Sequence, residues 1–128
     1  MAGVDSNQVR LTRYFYSRTE RPDDVLTMQL SLGAKLVDSM VPGRIKPHQR
    51  DALVCLVSDV IVGLAQSPSS SFEDSFLSLC LKKGMMQIVA AEFHNFCFVG
   101  GKFNSKAWHK RKAEHHLFMT GQMLFGSN

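Results

Sequence analysis

The sequence concentrates its chemically active side chains near the C-terminus, in residues 102–116, which read KFNSKAWHKRKAEHH. Five basic residues stand here against Glu114 alone: Lys102, Lys106, Lys110, Arg111 and Lys112. Side chains three or four positions apart share a face of a helix, so a helix here would carry positive charge on almost every side. Such a density of charge suits a row of phosphates, because neutralising them releases counterions.

Aromatic side chains within the same segment add a second kind of contact. Trp108 could stack on unpaired bases, and base–aromatic stacking accepts any sequence. The sequence therefore predicts a nucleic-acid-binding surface, extended by two N-terminal arginines. Its residues are Lys102, Lys106, Trp108, His109, Lys110, Arg111, Lys112, Arg10 and Arg13. The alternative is a solvated terminal helix that Trp108 anchors to the core, because charge runs often serve solubility.

Cysteine and histidine residues raise the question of a metal site. His94 and Cys97 are three residues apart, and Zn²⁺ commonly takes nitrogen and sulfur ligands. The other candidates, Cys80 and His115, do not complete the two close pairs that structural zinc sites show. We therefore predict no metal and no cofactor, with two buried thiols and a core histidine as the simpler interpretation.

Catalytic motifs are missing from the sequence. A cysteine nucleophile such as Cys97 needs a base within hydrogen-bond reach, and nothing in the sequence brings His94 or His115 to it. There is no glycine-rich phosphate loop, no GxSxG and no paired acidic motif. The sequence therefore predicts a protein that is not an enzyme.

Length and composition indicate one intracellular domain. The chain has 128 residues, 45% of them hydrophobic, which supplies one packed core. The net charge of +4 favours anionic partners, and no apolar run is long enough for a membrane span. Three widely spaced cysteines, Cys55, Cys80 and Cys97, indicate reduced thiols rather than disulfides. We expect a cytoplasmic or nuclear protein, with residues 1–128 forming a single domain.

Hydrophobic spacing and capping signals predict about five helices. A helix over residues 22–40 begins at Pro22, and a second begins at Pro47 and places Ser58 and Asp59 on its polar face. Ser70 and Glu73 match a capping box for a third helix ending near Gly84. Phe72, Phe76, Leu79 and Cys80 would form the buried stripe of this third helix.

The last part of the chain predicts two further helices. Residues 85–98 are strongly apolar and predict the most buried helix, although a short hairpin around Ala91 remains open. Gly100 and Gly101 allow a reversal, after which Asn104 or Ser105 can cap a basic C-terminal helix. The fold class is therefore all-α, a single compact domain, orthogonal or bundle-like. Residues 22–125 form its core and residues 1–21 an N-terminal arm or short helix.

Together these features predict a small helical protein that binds RNA or single-stranded nucleic acid largely without sequence choice. The apolar residues 117–125 exceed what one helical face can bury, so we also expect a homo-oligomer that does not enter membranes. Compact proteins of this size and composition are typical of viral accessory or packaging factors. A helical protein–protein interaction module is the alternative.

Overall fold

The computed structural model describes residues 23–63, 65–66 and 71–122, with side chains described from residue 28 onward. These residues form five α-helices and one short hairpin. The helices are α1 (Asp23–Met40), α2 (Pro47–Ile61), α3 (Phe76–Lys82), α4 (Met86–Glu92) and α5 (Ser105–Thr120). A 3₁₀ turn (Phe93–Asn95) and the strands β1 (Phe98–Val99) and β2 (Lys102–Phe103) lie between α4 and α5. The predicted all-α single domain is confirmed.

Several helix ends follow from local sequence. Pro47 occupies the first turn of α2, and the Lys46 backbone N–H donates to Gln49 Oε1 at 3.1 Å. Asn104 caps α5, since its Oδ1 accepts a hydrogen bond from the Ala107 N–H at 2.9 Å. Helix α5 ends at Gly121, whose φ of 77° suits glycine. The predicted starts of α2 and α5 are therefore confirmed.

The core forms around α2, which packs against α1 on one side and α5 on the other. Eight consecutive residues of α2, from Ala52 to Asp59, are buried. The close approach of α1 and α2 depends on Gly33, where an added Cβ would lie 2.6 Å from Ser58 Oγ. Helix α2, and not residues 85–98, is thus the most buried helix of the described chain. Ser58 and Asp59 are buried, contrary to their predicted place on a polar face.

The third helix differs from its prediction. It is capped by Ser75, whose Oγ accepts from the Ser78 N–H at 3.1 Å, whereas Ser70 lies outside the described residues. The buried face of this helix includes Leu77, Cys80 and Leu81. Phe76 and Leu79 are exposed, while Phe72 and Cys80 are buried as predicted.

The segment after α4 also departs from prediction, because the helix stops at Glu92. The following run is rich in aromatic and β-branched residues, and it forms the 3₁₀ turn and strand β1. Strand β1 pairs antiparallel with β2 across Gly100 and Gly101, which have φ values of 59° and 81°. The predicted reversal at these glycines is confirmed, but the hairpin lies there rather than around Ala91.

Two expectations from composition can be compared with the described residues. All three cysteines are free and buried, as predicted. Among the described helices, none combines the length and the apolar character that crossing a bilayer requires. The predicted N-terminal arm lies outside the described residues.

Candidate functional site

A buried ion network joins α2 to α5. Arg111 on α5 is fully buried, and its Nη2 donates to Asp59 Oδ2 on α2 at 2.7 Å. The same guanidinium binds Glu114 in a bidentate manner, with distances of 2.7 and 2.9 Å. Its Nη1 also donates to the Phe96 carbonyl at 3.2 Å. Arg111 thus ties α2, α5 and the segment before β1 together.

Charge in this network is nearly balanced, because Lys110 Nζ lies 3.9 Å from Asp59 Oδ2. Burial raises the pKa of Glu114 to about 7, and the positive charge of Arg111 opposes that rise. Burial lowers the pKa of Lys110, while Asp59 acts in the opposite direction. The network has no exposed carboxyl, so its role is to hold the helices rather than to meet a ligand.

The basic surface predicted for residues 102–116 is divided by the fold. Arg111 is buried and half-buried Lys110 faces Asp59, so neither is presented to an external phosphate as predicted. Lys102, Lys106, His109 and Lys112 are exposed, and Trp108 is half-buried. Arg10 and Arg13 lie outside the described residues.

Histidine and tryptophan rings cluster beside this network. His94 in the 3₁₀ turn and His115 on α5 have ring centroids 5.1 Å apart. The Trp108 ring lies 6.3 Å from His94, and Lys112 Nζ lies 5.4 Å from the Trp108 ring centre. Trp108 is thus half-buried against His94 and is covered by a cation, which matches the alternative interpretation of an anchor better than a free stacking platform.

The predicted metal candidates do not form one site. No three or more His, Cys, Asp or Glu side chains in the described chain are arranged to hold a metal ion. Cys97 Sγ donates to the His94 carbonyl at 3.1 Å, and burial raises the pKa of this thiol. Cys97 is therefore a protonated core thiol, which argues against the nucleophile considered from the sequence.

An open cavity of about 220 Å³ lies where α1 meets α2. Its lining residues are Asp38, Val41, Gly43, Arg44, Ile45 and Arg50. Arg50 binds Asp38 through two contacts of 2.9 and 3.0 Å, and this hydrogen-bonded cation lowers the pKa of Asp38. Asp38 is thus an ionised carboxylate beside a cation, suited to contact hydroxyl groups but not to donate a proton.

Sequence reasoning missed the two carboxylates that bind Arg111. Glu114 is three residues from Arg111 and shares its helix face, which was a visible signal. Asp59 is 52 residues away, and only its position inside the apolar run of α2 hinted that it needed a partner.

Comparison with known proteins identifies the fold. No protein-family model matches the sequence, and no curated protein matches it. Among solved structures, the chain is similar to the muramidase domain of SpmX from Asticaccaulis excentricus, with a TM-score of 0.69. The match covers 94% of this chain and 99% of that domain at 18% sequence identity. The likeness therefore establishes the fold.

This finding corrects the function predicted from the sequence. The prediction of an RNA- or single-strand-binding protein, with a viral accessory role, is wrong, because the fold is that of a muramidase domain. The prediction of a non-enzyme is wrong for the same reason. The predicted partner RNA is corrected with it. The burial of Arg111 gives the physical reason why counting charges misled.

Proposed function

We propose that this domain acts on the glycan strands of peptidoglycan as a glycosidase of the muramidase type. The observation that carries the proposal is the likeness to the SpmX muramidase domain, which extends over 94% of this chain. Nearly complete coverage of both chains means that the similarity includes the whole domain architecture and not one helical hairpin.

The charge of the chain supports an anionic polymer as ligand. Its net charge is +4, and Lys102, Lys106 and Lys112 are exposed. Peptidoglycan carries carboxylates on its peptide stems, so long-range attraction would bring the polymer to the protein. The charge that suggested phosphates thus also suits a carboxylate-bearing glycan.

Glycoside hydrolysis by the usual route requires two carboxyl groups, one of them able to protonate the leaving oxygen. In the described chain, Glu114 has a pKa of about 7 but is fully buried and bound to Arg111. Asp59 shares that network, and Asp38 is paired with Arg50. Because these three carboxyl groups are already engaged, acidic residues elsewhere in the sequence are substituted, beginning with Glu20, Asp23 and Asp24.

The proposal is tested by incubating the purified protein with insoluble peptidoglycan sacculi. Co-sedimentation measures binding, and the release of new reducing ends with soluble muropeptides measures cleavage. We expect both from the unmodified protein. Glu20→Gln, Asp23→Asn and Asp24→Asn are then compared with Glu73→Gln, a matched control at an exposed position.

The outcomes distinguish binding of peptidoglycan from its cleavage. Loss of cleavage with retained sedimentation in one acidic variant, but not in Glu73→Gln, would identify the acid. Sedimentation without any reducing ends would overturn the glycosidase and retain only glycan recognition. Absence of both from folded protein would overturn the proposal entirely.

A further inference from the structure

The paired rings of His94 and His115 have a geometry that the proposed glycosidase does not use. They come from different elements, the 3₁₀ turn and α5, and their centroids are 5.1 Å apart with an interplanar angle of 52°. Both side chains are half-buried, so each keeps an edge accessible to solvent. The fold thus holds two imidazoles together at the surface.

Their separation matches two ligands of one metal ion. An imidazole nitrogen lies about 2.0 Å from a bound ion and about 1.1 Å from its ring centre, so neighbouring ligands have centroids roughly 4.5–5 Å apart. The observed 5.1 Å is close to this range. His109 and His116, by contrast, have no ring contact with His94 among those that the structure shows.

We propose that His94 and His115 form a surface site for a divalent transition-metal ion, with water completing the coordination. Imidazole ligands suit Cu²⁺, Ni²⁺ and Zn²⁺, and Cu²⁺ binds most tightly of the three. The neighbouring Cys97 is excluded as a ligand, because its thiol is buried and donates to the His94 carbonyl. A site of two nitrogens thus replaces the mixed cysteine and histidine set considered from the sequence.

The position of Trp108 supplies a direct readout. It is the only tryptophan of the chain, and its ring lies 6.3 Å from His94. Bound Cu²⁺ quenches nearby indole fluorescence, whereas Zn²⁺ does not. Titrating the full chain with Cu²⁺ in a non-coordinating buffer should give saturable quenching, which Zn²⁺ and Ni²⁺ reverse by competition.

Substitution by phenylalanine tests the ligands while keeping a ring at each position. His94→Phe and His115→Phe should each weaken Cu²⁺ affinity at least tenfold, with circular dichroism confirming the fold. His109→Phe is the matched control, since the His109 ring is 5.1 Å from Trp108 and has no ring contact with His94 or His115 among those that the structure shows. Unchanged affinity in both His94→Phe and His115→Phe, or an equal loss in His109→Phe, would overturn the site. Because the readout is fluorescence, failure of the glycosidase proposal would leave this result unaffected.

Discussion

Substitution of Arg111 by methionine should destabilise the domain severely. Methionine keeps much of the apolar volume but removes every donor of the guanidinium. Arg111 donates to Asp59, to both oxygens of Glu114 and to the Phe96 carbonyl. Its removal leaves two carboxyl groups whose side chains are only 3% and 0% exposed.

The magnitude follows from the burial of these groups. Breaking a buried ion pair by removing one partner costs about 3–5 kcal/mol, because the remaining charge is uncompensated. A domain of this size has roughly 5–15 kcal/mol of unfolding free energy, so Arg111→Met should lose about a fifth of it or more. Substituting Asp59→Asn and Glu114→Gln in the same chain should recover much of the loss, since neither amide is charged.

The pH dependence provides a second measurement of the same network. Glu114 has a pKa of about 7 in the folded protein, against an ordinary value of 4.5. Between these values the folded state binds more protons than the unfolded state, so stability falls as pH rises. The difference corresponds to about 3 kcal/mol, lost between roughly pH 4.5 and 7. Glu114→Gln should remove this dependence, whereas Arg111→Met should extend it to higher pH, because Arg111 lowers that pKa in the wild type.

Urea unfolding followed by circular dichroism at pH 5, 6, 7 and 8 measures these effects. Arg111→Lys is the matched control, because lysine keeps the charge but loses the bidentate geometry. Its unfolding free energy should lie between those of wild type and Arg111→Met. An unfolding free energy of Arg111→Met within about 1 kcal/mol of wild type at pH 8 would refute the reasoning. Such a result would mean that water or another cation reaches Asp59 and Glu114.

Two further substitutions test the contacts of α1. Gly33→Ala should lower the unfolding free energy by about 1–3 kcal/mol despite better helix propensity, because the new Cβ would lie 2.6 Å from Ser58 Oγ and 3.1 Å from the Val54 carbonyl. Thermal unfolding should show partial recovery of stability when Ser58→Ala is added. Equal stability of Gly33→Ala and wild type would contradict close packing of α1 against α2. Asp38→Asn should cost at most about 1 kcal/mol, since its pair with Arg50 is half-exposed. Because Arg50 lowers the pKa of Asp38, that stabilisation exists above pH 3.8 and is lost as pH falls through the folded pKa. The unfolding curves of wild type and Asp38→Asn should therefore converge in acid. A difference in unfolding free energy that grew as pH fell would contradict the pairing of Asp38 with Arg50.

Local chemistry determined much of the secondary structure. The start of α2 at Pro47, the cap of α5 at Asn104 and the reversal at Gly100 and Gly101 could all be predicted. Each depends on the backbone preference or hydrogen bonding of residues within a few positions of one another. The start of α3 at Ser75 was missed, because Ser70 and Glu73 offered a rival cap of similar quality.

The sequence by itself determined an all-helical domain with reduced cysteines and a basic C-terminal helix. It did not determine which of those basic side chains face solvent, because that depends on a partner in another element. Only the tertiary structure placed Asp59 against Arg111 across 52 residues, and His94 against His115. Charge is a property of the residue, whereas its availability to a ligand depends on the packing of α2 against α5.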